Sequence, residues 1–330
     1  MVPDPRPDVA TLDTHQASEL ARRMRVEIGR SVVGQDAAVD HVLAAFLAGG
    51  HVLVEGVPGL GKTLLVLAMA RSFGGKFSRV QFTPDLMPSD VTGHAILEGV
   101  GGHFRIRRGP AFTNLLLADE INRAPAKTQA ALLEVMQEQQ ITIEGESLRL
   151  PAPFMTLATQ NPIEHEGTYS LPEAQLDRFL LKVVLDYPPE ALEVAVVQAV
   201  TTSRVGDTLN VEATQTVLSP EDAVALQAAT ATVLVDDRIA SYAVRLVRAT
   251  RAGGRLQFGA GTRGAIAIVR AARAMALLDA RDHVLPEDVQ RVALPALRHR
   301  IGVSPEMELE GVKPDDVIKG ILKRVEAPRR

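Results

Sequence analysis

The sequence predicts an α/β fold in which a parallel β-sheet is flanked by helices and followed by an all-α domain. Short apolar runs typical of buried parallel strands alternate with helical stretches through the first part of the chain. A glycine-rich loop joins the first of these strands to a helix. Further helices with capping residues follow a polar, aperiodic segment. We therefore divide the chain into a flexible N-terminal segment 1–16, a core 17–200, a linker 201–216 and a helical domain 217–330.

The core is predicted to begin with two helices, at 17–30 and 35–48. Five apolar runs are the predicted strands, and they lie at 51–54, 77–82, 115–118, 155–159 and 180–185. Helices at 63–73 and 127–139 separate some of them. Because right-handed crossovers through helices join parallel strands, we expect a parallel sheet covered by helices.

Two segments exceed this minimal unit and are predicted to project from the core. Residues 84–110 combine a short, proline-interrupted helix with a hairpin signal at Val100-Gly101-Gly102. Residues 141–150 alternate apolar and polar side chains on both sides of a turn, which indicates a second hairpin. The helices of the last domain are predicted at 220–232, 237–251, 262–279 and 286–300.

Composition narrows the class of protein. With 330 residues, of which 46% are hydrophobic and 23% charged, the chain is expected to form globular domains, with room for two. A net charge of -4 and only 4% aromatic residues argue against nucleic acid as a partner. One small basic cluster, formed by Arg105, Arg107 and Arg108, is expected to be a solvated face of the first hairpin.

Cysteine is absent from the sequence, which excludes disulfides and thiolate sites and favours a reducing compartment. The N-terminal residues lack the basic and apolar regions of a signal peptide. No apolar run approaches the roughly 18 residues that a membrane-spanning helix needs. We therefore expect a cytoplasmic protein without a membrane segment.

The loop at 56–63 matches the phosphate-binding pattern G-x-x-x-x-G-K-[ST] at every fixed position. Its glycines allow backbone N–H groups to point at phosphate oxygens, and the following helix adds the positive end of its dipole. Lys62 would reach the β- and γ-phosphates, and Thr63 would place its hydroxyl on Mg²⁺. A chance match is the alternative, but the strand before the loop and the helix after it favour nucleotide binding. The residues expected to contact the nucleotide here are Gly56, Val57, Pro58, Gly59, Leu60, Gly61, Lys62, Thr63 and Leu64.

Two carboxylates follow the apolar run at 115–118. Because a parallel strand delivers its carboxyl end to the crevice where ligands bind, Asp119 is expected to hold the Mg²⁺ shell. Glu120 is expected to polarise the attacking water. The alternative is a solvated strand end, which the preceding phosphate loop makes the weaker interpretation.

Asn161 ends the next apolar run and precedes a proline. An Asn-Pro pair is a strong turn former, so a turn residue is one interpretation. The other is a polar sensor of the γ-phosphate, which the expected position of this strand end beside the phosphate loop favours.

These residues together resemble the AAA+ ATPase superfamily, and the finer pattern resembles its MoxR family, over nearly the whole chain. The matching segments are VVGQ at 32–35, GVPGLGKT at 56–63, LLLADEINRAP at 115–125, ATQNP at 158–162, EGTYSLPEAQLDRF at 166–179 and RDHVLPEDV at 281–289. The resemblance implies a homo-oligomeric ring, usually hexameric, with ATP sites at the subunit interfaces. It also makes the two projections the helix-2 insert and the hairpin before the first sensor.

The resemblance assigns further roles to single residues. It makes Asn161 the first sensor, Arg178 an arginine finger that acts on a neighbouring subunit, and Arg263 the second sensor. The residues around Arg263 depart from the family's usual GASPRA, and a surface arginine is the alternative; for Arg178 the alternative is a contact with Asp177 or Glu173.

Residues near the adenine are also assigned by resemblance, namely Val33, Gly34 and Gln35. Three histidines, His94, His103 and His165, do not have metal-ligand spacing and are expected in loops or at the surface.

The leading functional hypothesis is therefore an ATP-hydrolysing ring with Mg²⁺ as cofactor that remodels a protein partner. The resemblance implies that this partner carries a von Willebrand factor A domain. Two alternatives stay open at this level: a nucleic-acid motor, and a nucleotide-gated scaffold that binds ATP without turnover.

Overall fold

The computed structural model describes residues 12–57, 59–98, 103–160, 169–201, 211–252 and 256–329. The helices are α1 (Thr14–Ser31), α2 (Asp36–Leu47), α3 (Lys62–Ser72), α4 (Pro88–Thr92), α5 (Ala126–Glu138), α6 (Glu173–Leu176), α7 (Glu190–Thr201), α8 (Pro220–Thr232), α9 (Asp237–Ala249), α10 (Thr262–Leu278), α11 (Pro286–Leu297), α12 (Pro305–Leu309) and α13 (Pro314–Arg324). The strands are β1 (Val52–Glu55), β2 (Phe77–Gln81), β3 (Gly93–Glu98), β4 (His103–Arg108), β5 (Leu115–Asp119), β6 (Gln140–Ile143), β7 (Glu146–Arg149), β8 (Met155–Gln160), β9 (Leu181–Val184), β10 (Leu256–Phe258) and β11 (Gly302–Val303).

The described residues form one five-stranded sheet in the order β2-β5-β8-β1-β9, with every neighbouring pair parallel. The predicted parallel sheet flanked by helices is thereby confirmed. Strand β5 is buried along its whole length and β8 along all but its last residue, as their unbroken apolar sequences predict. At the sheet edges, β2 and β9 show partly exposed positions.

The two faces of the sheet belong to different hydrophobic clusters. On one face, side chains such as Val52, Leu117 and Leu157 pack with α1, α2, α3 and helices α8 to α11. On the other, Leu53 and Leu116 pack with α5 and the two hairpins. This division follows from the alternation of side chains along each strand. The C-terminal helices α8 to α13, called the lid below, thus share a core with the first helices of the chain.

Both predicted projections are present. Helix α4 leads into the β3–β4 hairpin, whose turn at 99–102 lies outside the described residues. At the far end of this hairpin, the cross-strand partners Leu97 and Phe104 are 60% and 67% exposed. Strands β6 and β7 form the second hairpin.

The lid is helical, as predicted, and several of its helices begin at the expected caps. Ser219 accepts a hydrogen bond from the Asp222 amide over 3.1 Å at the start of α8. Three features of the lid were not predicted, namely α12, α13 and the antiparallel β10–β11 pair, and in the core α6 and α7 were not predicted either. The pair is too short for a strand period to be visible in the sequence. The domain boundaries stay predictions, since 202–210 lie outside the described residues.

Candidate functional site

The phosphate loop lies between the carboxyl end of β1 and the start of α3. A side chain at Gly56 would come within 3.0 Å of the Leu185 carbonyl oxygen, so this position has no room for one. Gly59 and Gly61 have φ angles of 88° and 76°, in the left-handed region that favours glycine. Gly61 is also the N-cap of α3 and contributes no side chain to its amides. The amides of this helix start therefore remain available to an anion.

The described side chains of the loop lie between the end of β1 and the first turn of α3. Lys62 Nζ donates to the Gly56 carbonyl oxygen over 3.0 Å, so the ammonium lies against the loop. Thr63 and Leu64 are half-buried at the start of α3, as are Val57 and Leu60 in the loop. Pro58 lies outside the described residues.

The segment at 33–35, expected beside the adenine, contacts the chain that leaves β9. Gln35 Nε2 donates to the Asp186 carbonyl oxygen over 3.0 Å. Gly34 has a φ of 78°, and a side chain there would come within 3.1 Å of Pro188 Cβ. Val33 is half-buried. Because β9 is the parallel neighbour of β1, this segment lies at the carboxyl ends of the strands, as the phosphate loop does.

Asp119 is the last residue of β5 and is 9% exposed. Its Oδ1 accepts a hydrogen bond from Thr159 Oγ1 over 2.6 Å, and its Oδ2 accepts one from Arg79 Nη2 over 2.6 Å. Thr159 lies on β8 and Arg79 on β2, the two neighbours of β5. The carboxylate is therefore held from both sides.

Glu120 follows Asp119 with a φ of 56°, an uncommon value for a residue with a side chain. Its amide donates to Thr159 Oγ1 over 2.8 Å, so the Thr159 hydroxyl binds both acidic residues. Its carboxylate Oε2 accepts from Gln81 Nε2 over 2.7 Å and from Arg123 Nη1 over 3.1 Å. The carboxylate is only partly buried and lies within reach of solvent at the strand ends.

The contacts of Thr159, Arg79 and Gln81 were missed from the sequence. Arg79 and Gln81 are two residues apart on β2, so their side chains lie on the same face of the sheet. This spacing is visible in the sequence. That this face meets Asp119 and Glu120 depends on the pairing of β2 with β5.

Asn161, the predicted first sensor, lies outside the described residues. Strand β8 ends one residue before it, where Gln160 is the register partner of Glu55. Glu55 immediately precedes the phosphate loop, so β8 does reach the loop's edge of the sheet.

Arg178 lies at the opposite end of the strands from the phosphate loop. It precedes β9, whose first residue Leu181 is the register partner of Val52, the first residue of β1. Because the two strands are parallel, Arg178 lies beyond the amino ends, whereas the phosphate loop lies beyond the carboxyl end of β1, about 10 Å of strand away. Its Nη1 donates to the Leu133 carbonyl oxygen over 3.0 Å. The described ion pairs of Asp177 involve Arg263 and Arg300 instead.

Arg263 lies in the first turn of α10 and its side chain is 60% exposed. A carboxylate lies near this helix start, because Asp177 Oδ2 is 3.6 Å from Arg263 Nη1. Arg263 and Arg178 line one open cleft of about 440 Å³ together with Arg270 and Arg300. His51 and the residues just before β1 also line it, so this cationic cleft lies at the amino edge of the sheet.

His51 joins three elements beside this cleft. Its Nε2 donates to the Met136 carbonyl oxygen over 2.9 Å, and its Nδ1 accepts from the Thr156 amide over 3.0 Å. Burial lowers the pKa of His51 to about 4, so the ring is neutral.

The three histidines considered from the sequence are only partly covered by the described residues. His94 is exposed, the side chain of His103 lies outside the description, and so does His165. No group of three or more metal-ligating side chains occurs among the described residues.

Comparisons with known proteins agree with this architecture. Residues 51–181 match the family model of the ATPase family associated with various cellular activities (AAA), and residues 248–321 match that of the AAA lid domain. The chain is 46% identical to the uncharacterized protein YeaC of Bacillus subtilis over 91% of its length and 92% of that protein. It is 45% identical to the chaperone MoxR1 of Mycobacterium tuberculosis, over 92% of its length and 81% of that protein.

More distant relatives and a solved structure extend the agreement. The protein MoxR of Methylorubrum extorquens is 36% identical over 94% of this chain and 96% of its own length. A solved structure from Cytophaga hutchinsonii superposes with a TM-score of 0.87 at 40% identity, over 96% of this chain and 97% of that one. Within the described parts of the chain, no helix is both long and apolar enough to cross a membrane.

Proposed function

Because the chain belongs to the MoxR family of AAA+ ATPases, we propose that it binds ATP and Mg²⁺ at the phosphate loop and hydrolyses ATP where two copies meet. The observation that carries this proposal is the separation of Lys62 from Arg178 and Arg263. The loop lies at the carboxyl edge of the sheet and both arginines lie at the amino edge. Under this proposal, each chain supplies its phosphate loop to one nucleotide and its two arginines to the nucleotide of a neighbouring chain.

The loop supports the binding half of this function. The uncapped amides at the start of α3 and the ammonium of Lys62 provide donors and charge for the phosphates. The Thr63 hydroxyl and the Asp119 carboxylate are hard oxygen donors of the kind that Mg²⁺ prefers, so the residues fit this ion. Bound Mg²⁺ would shield the negative charge of the phosphates.

Glu120 is proposed to orient and polarise the attacking water. Its left-handed backbone conformation and the hydrogen bond from its backbone amide to Thr159 Oγ1 fix its position at the strand end. Gln81 and Arg123 both hold its carboxylate through Oε2, and Oε1 is proposed to face the attacking water. Asn161 is proposed to sense the γ-phosphate from the end of β8.

Arg178 and Arg263 are proposed to act on the nucleotide of the neighbouring subunit, as arginine finger and second sensor. The arginines around their cleft outnumber its single described aspartate, so the cleft suits a phosphate anion. A closed ring, hexameric by family resemblance, would repeat this heterologous contact around its circumference.

The work done by the ring is proposed to be chaperone-like remodelling of a protein partner in the cytoplasm. The name of the relative MoxR1 as a chaperone and the two projecting hairpins support this proposal. The partner is proposed to carry a von Willebrand factor A domain. Glu120→Gln should trap the ATP-bound complex, and capture of the partner by this variant, but not by Lys62→Ala, is the expected result.

Mixing two inactive variants tests hydrolysis between subunits. Arg178→Ala subunits keep the phosphate loop, and Lys62→Ala subunits keep the finger. If the finger acts on a neighbour, random co-assembly should activate roughly a quarter of the interfaces. Absence of activity in rings shown to contain both variants would contradict the proposal, as would full activity of isolated wild-type monomers.

A further inference from the structure

The lid holds the segment that carries Arg178, and it does so mainly through Arg300. Arg300 follows α11 and is 6% exposed. Its Nε donates to Asp177 Oδ1 over 2.6 Å, and its Nη2 donates to the Asp177 carbonyl oxygen over 3.1 Å. Nη2 also donates to the Phe179 carbonyl oxygen over 2.6 Å. One guanidinium thus binds the residue before Arg178 and the residue after it.

The remaining donors of Arg300 complete the attachment. Nη1 donates to the Leu180 carbonyl oxygen over 3.1 Å and to the carbonyl oxygen of Ala296 in α11. All five N–H groups of the guanidinium therefore have partners. His299 adds a further bond from the lid, in which its Nε2 donates to the Phe179 carbonyl oxygen over 3.0 Å. Phe179 is fully buried, so the backbone on this side of Arg178 is fixed.

Charge and burial separate the role of Arg300 from that of Arg263. The buried Arg300 is compensated by Asp177, since an uncompensated buried cation would be strongly destabilising. The exposed Arg263 is bound more loosely to the same carboxylate, at 3.6 Å. Arg300 has no N–H group left for a phosphate, whereas Arg178 and Arg263 reach the open cleft.

We propose that Arg300 is a positioning residue, through which the lid sets the orientation of the Arg178 finger that the same chain offers to its neighbour's ATP. This inference rests on the proposed action of Arg178 between subunits. The finger is then held by the lid rather than by the sheet alone, because Arg300 binds the backbone on both sides of it. Loss of Arg300 should impair the neighbour's site and leave the chain's own phosphate loop competent.

The mixing experiment distinguishes this role from a general loss of structure. Arg300→Gln rings should bind ATP like the wild type but hydrolyse it about 10²-fold more slowly, the effect expected of a finger misplaced by about 1 Å. Mixing with Lys62→Ala subunits, which have an intact finger, should restore activity. Mixing with Arg178→Ala subunits should restore none, because both variants then lack the same half of the site.

Two further variants keep the test decisive. Arg300→Lys keeps a cation beside Asp177 but cannot bind the backbone on both sides of Arg178, so it should give a smaller loss with the same mixing pattern. It decides the question if Arg300→Gln does not assemble. Arg291→Gln is the matched control on α11, because the described ion pairs of Arg291 are with Asp279 and Asp40, away from the finger, and it should keep wild-type activity.

Restoration of Arg300→Gln by Arg178→Ala subunits would overturn the inference, and so would wild-type activity of both Arg300→Gln and Arg300→Lys. The mixture of Arg178→Ala with Lys62→Ala separately tests whether Arg178 acts on the nucleotide of a neighbouring subunit. If that mixture is active and the Arg300 pattern is not found, only the positioning role fails.

Discussion

The hydroxyl of Thr159 donates a hydrogen bond to Asp119 Oδ1 over 2.6 Å, and the pair is buried between neighbouring strands. Thr159 Oγ1 also accepts a hydrogen bond from the Glu120 amide over 2.8 Å. One side chain on the strand that leads to Asn161 therefore positions both acidic residues of the candidate site. A threonine hydroxyl can serve both bonds because it has one donor and two acceptor lone pairs.

Thr159→Val should remove both bonds while keeping the shape of the side chain. We expect a loss of about 1–3 kcal/mol in the free energy of unfolding, because a buried carboxylate oxygen and a partly buried amide lose their partner. Hydrolysis should also need more Mg²⁺, since Asp119 is no longer oriented. Titration of the ATPase rate with Mg²⁺ checks this. Thr159→Ser keeps the hydroxyl and should need no more Mg²⁺ than the wild type. A wild-type Mg²⁺ requirement in Thr159→Val would contradict the positioning role.

Lys62→Ala should nearly abolish binding of ATP with Mg²⁺, because the ammonium that lies against the loop is the main side-chain charge available to the phosphates. Isothermal titration calorimetry measures the affinity directly. Lys319→Ala, at an exposed position of α13, is the matched control for loss of a lysine. Equal ATP affinity in Lys62→Ala and in this control would refute the assignment of the loop.

Glu120→Gln should bind ATP with normal affinity and hydrolyse it about 10²- to 10⁴-fold more slowly, because an amide cannot polarise water. The substituted amide has nearly the shape of the carboxylate, so the fold should be unaffected. Asp119→Asn should in addition weaken the binding of Mg²⁺ and lose the ion pair with Arg79. Single-turnover assays with both variants measure the chemical step. Wild-type turnover by Glu120→Gln would remove Glu120 from the mechanism.

The buried His51 should make the folded state sensitive to acid. Its pKa is about 4 in the folded state and near 6.5 when unfolded, so the unfolded chain binds more protons between these values. The stability that depends on neutral His51 is therefore fully present above pH 6.5 and is lost as the pH falls toward 4, a contribution on the order of 3 kcal/mol.

Unfolding by denaturant at a series of pH values checks this contribution. His51→Gln keeps a donor and an acceptor but does not titrate, so its loss of stability over the same pH range should be smaller. His283→Gln, at an exposed position, is the control. The same slope in His51→Gln and in the wild type would show that another group causes the acid sensitivity.

Much of the fold was predictable because the signals are local. The five strands, α3, α5 and the four long lid helices were predicted close to their observed ranges, from apolar runs, helical spacing and caps. The α12 and α13 helices were missed although each begins with a proline at its first position, a signal that could have been used. The β10–β11 pair had no such signal, because its partners are distant in the sequence.

The sequence by itself determined the chemistry of the phosphate loop and the placement of Asp119 and Glu120 at a strand end. These features depend on glycines, a lysine, carboxylates and strand periodicity, all of which are properties of short segments. Only the tertiary structure decided that Thr159, Arg79 and Gln81 hold those carboxylates, and that Arg178 and Arg263 share a cleft at the opposite edge. The physical reason is that strand order and register arise from long-range pairing, which brings together residues that no local pattern connects. The attachment of Arg300 to both sides of Arg178 is of the same kind, since it joins segments more than a hundred residues apart.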